Sequence, residues 1–476
     1  MNSPVPSGVP GSGASLRERG AILLLSCYEL GHQPLAVASP LGFLERAGFA
    51  PEALDISVAP FDPDKVARAR LVALSVPMHT ALRLGVRAAA EVRRVNRGAH
   101  ICFYGLYASL NADVLLAQGA DSVIAGEFES ALVELAQALE RNPAEAVAGV
   151  QRKDRPARPI LKRLDFAPPS RDALPRLEQY AHLEQRGERR LAGYVEASRG
   201  CRHLCSHCPI PPVYGGRFFV VPKEIVLQDI RRLVQAGATH ITFGDPDFLN
   251  GPGHSLAIVR ALHGEFPELT FDFTAKVEHV LARAALFPEV ARLGCLFMVC
   301  ALESLSDSVL AILNKGHTRS DAYQALKIVR DAGISFRPTW VAFTPWTTAA
   351  DYLDLLDFVA REDLIDQVDP VQFTLRLLIP PGSLLLEREV LRPHLGALDP
   401  AAFSFRWTHP DPRMDRLQRE AAALAEAAAG ASEDPGVTFH RLRCLAHETF
   451  GLPLPPDPAL SAERSRPPRL TEAWFC

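Results

Sequence analysis

The stretch that decides the fold is Gly193-Tyr-Val-Glu-Ala-Ser-Arg-Gly200, followed at once by Cys201-Arg-His-Leu-Cys205-Ser-His-Cys208. The first segment has the pattern of a strand, and the second groups three cysteines on one short loop. Closely grouped thiolates are good ligands for an iron–sulfur cluster. Because a cubane has four irons, three cysteines would leave one iron open for a substrate or cofactor.

A structural zinc site is the alternative for this loop, since His203 or His207 would complete a Cys3His ligand set. Structural zinc sites usually draw their ligands from two separated segments, whereas all the candidates here lie on one loop. The position after a strand also matters, because the catalytic residues of β/α barrels come from the carboxyl ends of strands. We therefore favour the three-cysteine iron–sulfur cluster.

Beyond the cysteines, the chain alternates strand-like and helix-like segments. Six strand-like segments, counted from the one before Cys201, end with the segment at 371–377. This count predicts a partial (β/α)6 barrel of TIM type over residues 191–385. Residues 386–476 are expected to form a mixed C-terminal extension, with a last strand at 438–444.

The chain before the cysteines predicts a separate α/β domain. Residues 20–145 alternate short apolar runs, such as Ala21-Ile-Leu-Leu-Leu-Ser26, with helix-length segments. This pattern favours a doubly wound, flavodoxin-like parallel sheet, which binds ligands at the carboxyl ends of its strands. Residues 1–19 are expected to be a disordered leader because the start is rich in Ser, Pro and Gly. Residues 146–190 are expected to be an ordered linker.

Composition limits the function classes. The 476 residues exceed one usual hydrophobic core, so two or three domains are expected. A net charge of -4 gives no basic field for nucleic acid or an anionic membrane, which leaves a small molecule or a protein as substrate. Nine cysteines with one tight cluster do not resemble a secreted disulfide framework. With no signal-peptide pattern and no long apolar run, the protein is expected to be cytoplasmic.

The CxxxCxxC loop after a strand resembles that of the radical S-adenosylmethionine (SAM) family. In that family the loop holds a [4Fe-4S] cluster whose open iron binds SAM, and reductive cleavage of SAM gives methionine and a 5′-deoxyadenosyl radical. The resemblance implies that Cys201, Cys205 and Cys208 are the cluster ligands. It also implies an electron donor of the flavodoxin or ferredoxin type. His207 stands where the family usually has an aromatic residue.

Other positions resemble SAM contacts of the family less closely. Gly244 and Asp245 resemble a Gly-Gly-Glu segment that contacts the SAM amino group, although an Asp-Pro turn is the alternative. Glu303 and Ser304 resemble a Glu-Ser contact to the ribose and methionine of SAM. Since a charge inside a barrel is costly unless it is paired, two charged residues are further cofactor-binding candidates. These are Lys276 and Arg376.

The first domain resembles the cobalamin-binding domain that precedes the barrel in one radical SAM subgroup. The loops at 74–77, 104–108 and 121–127 carry this resemblance, but the Asp-x-His-x-x-Gly sequence whose histidine ligates cobalt is missing. Cobalamin binding therefore stays open beside the alternative that the domain only caps the barrel. Gly105, Gly126 and Glu127 are expected near any ligand, because glycine lets a backbone approach closely.

The C-terminal sequence Leu470-Thr-Glu-Ala-Trp-Phe-Cys476 is apolar, whereas chain ends are usually polar. It resembles a small radical SAM subgroup in which Trp-Phe-Cys is followed by selenocysteine or cysteine, then Ala-Glu-Pro. The resemblance implies that Cys476 is a catalytic residue of a redox-active pair and that translation continues past a UGA codon. The alternative is an ordinary terminus.

Taken together, the sequence predicts a radical SAM enzyme that uses a [4Fe-4S] cluster and SAM on an unknown small-molecule or peptide substrate. If cobalamin binds, the expected reaction is methyl transfer. The first alternative is a cobalamin-free radical SAM enzyme that modifies a peptide or a sulfur or selenium metabolite. The second is a zinc or electron-transfer binding module without SAM chemistry.

Overall fold

The structure is a computed structural model that describes residues 15–456, 464 and 466–472 of the chain. Most of the predicted leader and the catalytic candidate Cys476 therefore lie outside the described residues. Leu16 is buried in the N-terminal core, so the packed part of the first domain already includes the end of the predicted leader. Among the described residues, no helix is both long and apolar enough to cross a bilayer.

The N-terminal domain is a doubly wound sheet, as predicted. Its strands are β1 (Ile22–Ser26), β2 (Glu52–Asp55), β3 (Leu71–Ser75), β4 (His100–Tyr104), β5 (Ser122–Ile124) and β6 (Val150–Gln151). Its helices are α1 (Leu35–Arg46), α2 (Pro63–Arg68), α3 (His79–Val95), α4 (Leu106–Leu110), α5 (Ala112–Ala117) and α6 (Phe128–Arg141). The strand order is 2-1-3-4-5-6, with only β6 antiparallel. The loops after β1 and β3 therefore leave the sheet at its switch point, where such folds bind ligands.

The second domain carries the predicted barrel strands. They are β7 (His182–Gln185), β8 (Glu188–Val195), β9 (Ser198–Gly200), β10 (Phe218–Val220), β11 (His240–Phe243), β12 (Thr270–Ala275), β13 (Cys295–Glu303) and β14 (Ser335–Trp340). The helices are α7 (Pro211–Tyr214), α8 (Lys223–Gln235), α9 (Pro252–Glu265), α10 (Val277–Ala282), α11 (Phe287–Arg292), α12 (Asp307–Ile312), α13 (Arg319–Asp331) and α14 (Ala349–Arg361). Strands β8, β11, β12, β13 and β14 are parallel neighbours. The predicted α/β class with a partial barrel is confirmed.

The sixth barrel strand predicted at 371–377 is reduced to one parallel bridge, between Phe343 and Arg376. Residues Pro370–Thr374 instead form a 3-10 turn. The side-chain oxygen of Gln372 accepts a hydrogen bond from the Trp340 backbone at 3.0 Å, so a side chain takes the place of a strand partner. The barrel therefore has five regular parallel strands.

The C-terminal extension contains β15 (Leu395–Asp399), β16 (Ser404–Trp407), α15 (Pro412–Gly430), α16 (Pro435–Phe450) and β17 (Arg469–Leu470). The strand predicted at 438–444 is wrong, because these residues lie in α16. Asp434 caps that helix by accepting from the Gly436 backbone at 2.8 Å, and Pro435 occupies its first position.

The short strand β17 closes the open side of the half-barrel. It pairs antiparallel with β7, which pairs antiparallel with β8, so the sheet order is 14-13-12-11-8-7-17. Leu470 of β17 packs in one apolar cluster with Leu183, Phe297 and Val299. Since Phe297 and Val299 lie on β13, at the far side of the same sheet, the sheet must curl around to bring them together.

The segment predicted as a linker joins the two domains through ordered contacts. Ile160 forms a parallel bridge with Gly126, and Phe166 packs in the core of the barrel domain. Arg171 makes a buried ion pair with Asp229 of α8 at 2.7 Å and also bonds Gln33 of the first domain at 2.9 Å. The segment also contains β7, so part of the barrel sheet begins before residue 191.

Candidate active site

The cysteine loop is positioned by the barrel strands on either side. Strand β8 ends at Val195, and β9 pairs with β10 immediately before Cys201. The Asp245 carboxylate accepts from the Ala197 backbone at 2.8 Å and from the Ser198 hydroxyl at 2.5 Å. Burial raises the pKa of Asp245 to about 6 even though these hydrogen bonds favour the ionised form. Asp245 thus holds the chain that leads into the loop.

The three cysteines line one cavity of about 320 Å3 at the carboxyl ends of the barrel strands. All three are free thiols, and Cys201 and Cys205 are buried. Burial raises the pKa of Cys201 and raises that of Cys208 to about 12, so the loop favours neutral thiols until a metal supplies positive charge. Three grouped, unpaired sulfurs on one wall fit an iron–sulfur cluster.

A buried ion pair lies beside the cysteines. Lys315, which follows α12, donates to the Glu303 carboxylate at 3.2 Å, and His207 of the cysteine loop lies 3.5 Å from the same oxygen. Burial alone would raise the pKa of Glu303, but the charge of Lys315 lowers it to about 2. Glu303 also has φ of 66°, a left-handed conformation that non-glycine residues adopt rarely. The cavity wall therefore carries an ionised carboxylate on a residue whose backbone is strained.

The cavity contains several residues predicted from the sequence and some that the sequence did not single out. Gly244, Asp245, Glu303 and Lys276 all line it. A Cβ on Gly244 would lie 2.2 Å from the Tyr194 hydroxyl, so the glycine makes room for the Tyr194 ring in the same wall. Several further charged side chains line the cavity: Asp272, Lys315, Arg337 and Glu472.

The sequence carried a signal for only some of these missed residues. Arg337 is the one charged residue of β14, so the argument used for Arg376 applies equally to it. Lys315 lies in a loop whose sequence, Asn314-Lys-Gly-His317, gives no hint of a barrel position.

Two predicted site residues do not reach the cavity. The Ser304 hydroxyl accepts from the Ser306 backbone at 3.1 Å, at the start of α12. Arg376 donates to Asp415 at 2.7 Å and to the Trp407 carbonyl at 2.7 Å, and its guanidinium lies 3.4 Å from the centre of the Trp407 ring. The expectation that Arg376 faces the barrel interior is wrong, because this side chain holds the C-terminal extension instead.

The two histidines weighed as zinc ligands are engaged elsewhere. His203 Nε2 lies 3.3 Å from His279 Nε2, and His279 Nδ1 lies 2.8 Å from Asp247. The Asp247 carboxylate also accepts from the Leu249 backbone at 2.9 Å. His207 faces Glu303, as described above. These contacts favour the three-cysteine ligand set over Cys3His.

A second cavity of about 230 Å3 lies between the domains and shares Tyr194, Gly244 and Pro246 with the first. Gly105 and Gly126 line it. Gly126 is needed for another reason too, since its φ is 77° and a Cβ would lie 2.2 Å from the Ile160 carbonyl oxygen. No histidine is among the residues described around this cavity.

Glu127 contributes to an ion cluster beside the second cavity. It accepts from the Tyr214 hydroxyl at 2.9 Å and pairs with Arg199 at 3.3 Å. Its contacts therefore join the two domains. At about 230 Å3 the cavity is smaller than sites for drug-sized ligands usually are, so it would have to widen to admit a corrinoid.

The end of the described chain forms part of the cluster cavity. Leu470 and Glu472 both line it. Thr471 donates from its backbone to the His182 carbonyl at 2.8 Å, and its hydroxyl accepts from the His182 backbone at 2.9 Å. Glu472 accepts from the Tyr28 hydroxyl of the first domain at 3.0 Å. This segment, 469–472, is called the tail strap below.

The part of the chain that carries this site matches a known protein family. Residues 195–356 match the profile of the Radical SAM superfamily, and the matched region contains the cysteine loop and strands β11 to β14. This chain carries a radical SAM domain. The predicted radical SAM domain is therefore confirmed, and the family to which this domain belongs uses a [4Fe-4S] cluster and SAM.

Curated relatives of the radical SAM domain and its flanks share about a quarter of their residues with this chain. An uncharacterised methyltransferase of Pyrococcus horikoshii is 24% identical over 336 residues, or 69% of each chain. A tRNA-2-methylthio-N(6)-dimethylallyladenosine synthase of Chlorobium luteolum is 29% identical over 165 residues, 33% of this chain. The present chain spans only 36% of that synthase's length.

Two solved structures share the fold beyond the radical SAM domain. The cobalamin-dependent SAM radical enzyme OxsB, with aqua-cobalamin bound, matches at a TM-score of 0.67 and 16% identity, over 87% of this chain and 68% of its own. The radical SAM methyltransferase TsrM of Kitasatospora setae, with cobalamin and a [4Fe-4S] cluster bound, matches at 0.62 and 17%, over 94% and 93%. The likeness establishes a shared fold that includes the N-terminal domain.

Proposed function

We propose that this protein binds a [4Fe-4S] cluster at Cys201, Cys205 and Cys208 and cleaves SAM reductively to act on a substrate in the barrel. The observation that carries the proposal is the cavity in which three free thiols stand beside the buried Glu303–Lys315 pair within a radical SAM domain. When bound, the cluster supplies the electron that splits SAM into methionine and a 5′-deoxyadenosyl radical.

The chain's own residues would hold and orient these groups. Glu303 is ionised and held by Lys315, so it offers a fixed acceptor for the ammonium or ribose hydroxyls of SAM. Lys276, buried at the start of α10, offers a donor on the same wall. Asp245 is already bonded to Ala197 and Ser198, so its main role is to position the cysteine loop.

The walls of the cavity exclude water from the reacting groups. The tail strap and the loop after β1 cover the sides that the five parallel strands leave open. A closed cavity protects a reactive radical from solvent and strengthens the electrostatic interactions inside it. The substrate is a small molecule or peptide that enters this cavity, and the electron comes from a donor of the flavodoxin or ferredoxin type.

Reductive cleavage of SAM is tested with anaerobically reconstituted full-length protein. With dithionite and SAM, the wild type should show cubane absorption and release 5′-deoxyadenosine. Cys205→Ala should lose the product, because two cysteines cannot hold the cluster in place. Cys444→Ala is the matched control, since this half-buried thiol lies on α16 away from the cavity and should leave the product yield unchanged. Product formation by Cys205→Ala would contradict the assignment.

Cobalamin-dependent methyl transfer is the second candidate function, and the shared fold with OxsB and TsrM favours it. Against it stands the size of the interdomain cavity, about 230 Å3, which would have to widen to admit a corrinoid. Titration with hydroxocobalamin, followed by gel filtration, separates the candidates. A corrinoid spectrum that co-elutes with the protein supports cobalamin dependence, whereas protein that elutes without a corrinoid spectrum leaves the cobalamin-free radical SAM enzyme.

We further propose that Cys476 is part of a redox-active pair at the cavity. The proposal is supported by Glu472, which lines the cavity and stands four positions before Cys476 in the sequence. The sequence of the gene tests the selenocysteine proposal. An in-frame UGA followed by codons for Ala-Glu-Pro is expected after Cys476, and any other codon there would exclude selenocysteine.

A further inference from the structure

A pair of histidines lies beside the cysteine loop, outside the lining of the cluster cavity. His203 of the loop and His279 of α10 face each other, with 3.3 Å between their Nε2 atoms. Asp247, in the loop after β11, is buried and lies 2.8 Å from Nδ1 of His279. One ligand atom from each of these three side chains lies within 4.8 Å of the other two. We call this group the His–Asp cluster.

The contacts of the two rings indicate where their protons lie. The Asp247 carboxylate accepts a hydrogen bond from Nδ1 of His279, so Nε2 of the neutral ring carries a lone pair. Nδ1 of His203 lies 3.4 Å from the Glu278 carboxylate, which favours a proton on that nitrogen as well. Two lone pairs then face each other across 3.3 Å, an arrangement that a cation between them would stabilise.

The distance between the rings matches that of two ligands on one metal ion. Zinc binds imidazole nitrogens at about 2.0–2.1 Å in tetrahedral sites, which puts two such nitrogens about 3.3–3.4 Å apart. The alternative, a hydrogen bond between the rings, would be longer than the usual range of about 2.7–3.2 Å. The Asp247 carboxylate behind His279 also matches the carboxylate–histidine–zinc arrangement, in which the carboxylate orients the ring.

The charges around the His–Asp cluster suit a divalent cation. Asp247 and Glu278 carry two negative charges, against which stands the Lys276 ammonium, 3.6 Å from Glu278. The His203 and His279 side chains are 14% and 17% exposed, so the group lies near the surface. Water can therefore supply the ligands that the protein does not.

We propose that the His–Asp cluster is a second metal site, at which Nε2 of His203 and Nε2 of His279 bind zinc or a similar divalent transition-metal ion. Asp247 is a positioning residue that orients His279. Imidazole suits zinc, whereas magnesium selects oxygen ligands. The ion ties the cysteine loop to α10 from outside the cavity, so the inference does not depend on SAM cleavage.

The experiment uses cluster-loaded full-length protein, in which the cysteines are occupied. The protein is dialysed anaerobically against zinc chloride with excess magnesium chloride, and zinc and iron per chain are measured together by inductively coupled plasma mass spectrometry. The wild type should bind one zinc per chain more than His279→Gln or His203→Gln, with the same iron content. The two substitutions lie on different segments, so either one decides the test if the other variant does not fold.

A variant of Asp247 tests its positioning role. Asp247→Asn keeps a side-chain oxygen for the Leu249 backbone but loses the carboxylate charge. Its zinc affinity should fall about tenfold or more, with unchanged iron content. His394→Gln is the matched control, because His394 is a half-buried histidine just before β15 and is not part of the His–Asp cluster. Its zinc content should equal that of the wild type.

Three outcomes would overturn the inference. Equal zinc in the wild type and both histidine variants would place the ion elsewhere. A wild type that binds no zinc would leave the two rings joined by a hydrogen bond, and zinc gained at the expense of iron would mean that it displaces the cluster. If no cluster assembles, the proposed function fails, and the same zinc comparison is made in protein with all three loop cysteines changed to serine.

Discussion

At the scale of single residues, the Glu303–Lys315 ion pair is a part of the cavity wall whose stability depends on both charges. The Lys315 side chain is buried, that of Glu303 is 12% exposed, and Glu303 adopts a left-handed backbone conformation. Burial would lower the pKa of Lys315, yet the facing Glu303 raises it, so both groups stay ionised at neutral pH. Each charge is tolerated only because the other is present.

Lys315→Met should therefore cost about 3 kcal/mol or more of stability, since it leaves a buried carboxylate without its partner. The free energy of unfolding of the apo protein, measured by urea denaturation at pH 7, checks this. The double variant Lys315→Met/Glu303→Gln should recover a large part of the loss, because the uncompensated charge is gone. Equal losses in the single and double variants would show that packing, and not charge, accounts for the effect.

At the scale of elements, the tail strap is the unexpected part of the barrel. Five parallel strands leave one side open, and residues 469–472 cover it by adding to β7. The pairing is short, but Arg469 also forms an ion pair with Glu184 at 2.9 Å, and Leu470 reaches the Phe297 cluster. A wall of the active-site cavity is thus supplied from the far end of the chain.

Deleting residues 469–476 should open this wall. Hydrogen exchange followed by mass spectrometry should then show faster exchange of the backbone amides in β7, which lose their strand partners. Deleting only residues 473–476 is the control and should leave β7 protected, because the strap itself remains. Unchanged exchange after the longer deletion would mean that the strap does not hold β7 in solution.

At the scale of the whole molecule, one arginine joins the two domains. Arg199, just before the cysteine loop, pairs with Glu129 of α6 at 2.6 Å and with Glu196 of its own domain. Glu127 completes a set of three carboxylates around one guanidinium. Because the carboxylates outnumber the cation in a buried place, part of the cluster must hold protons at neutral pH.

This excess predicts a pH-dependent stability. Burial raises the pKa of Glu196 from 4.5 to about 7 despite the nearby Arg199 charge. The unfolded chain ionises near 4.5 while the folded chain does not, so Glu196 costs stability increasingly as pH rises from about 4.5 to 7. Glu196→Gln should be more stable than the wild type by up to about 3 kcal/mol above pH 7, and the two should converge below pH 4.5.

Thermal and urea denaturation of the apo protein across pH 4 to 8 measure this difference. Glu91→Gln is a suitable control, because Glu91 is half exposed on α3 and pairs with the exposed Arg94. If Glu196→Gln is the less stable protein at pH 8, the charge of Glu196 is stabilising and the interpretation of the cluster is wrong.

How far the sequence predicts this structure depends on how local the signals are. The cysteine loop, Gly244 and Glu303 are recognisable because each lies at or just after the end of a strand, and strand ends meet at one edge of a parallel sheet. The capping signal of Asp434 and Pro435 was also available, and it would have shown that residues 438–444 are helical. Local pattern therefore accounts for most elements and for the cysteine side of the cavity.

The remaining features arise from contacts between distant segments. Nothing in Arg469-Leu470 alone indicates a strand, because its partner lies almost 300 residues earlier, at 183–184. Arg376 turns outward because Asp415 and Trp407 are there to receive it. Lys315 reaches the cavity only because its loop folds back over Glu303. Such positions depend on tertiary packing, and single-sequence patterns do not encode it.

The placement of the tail strap also bears on how the protein should be produced and immobilised. A fusion partner or polyhistidine tag attached directly after the tail strap would start next to Glu472, at the wall of the cavity that contains the three cysteines. Its imidazoles would then compete for iron during cluster assembly. The other terminus leads into Leu16 and β1 at the amino edge of the first sheet, opposite the strand ends that face the barrel. Affinity handles therefore belong on the amino terminus of this protein.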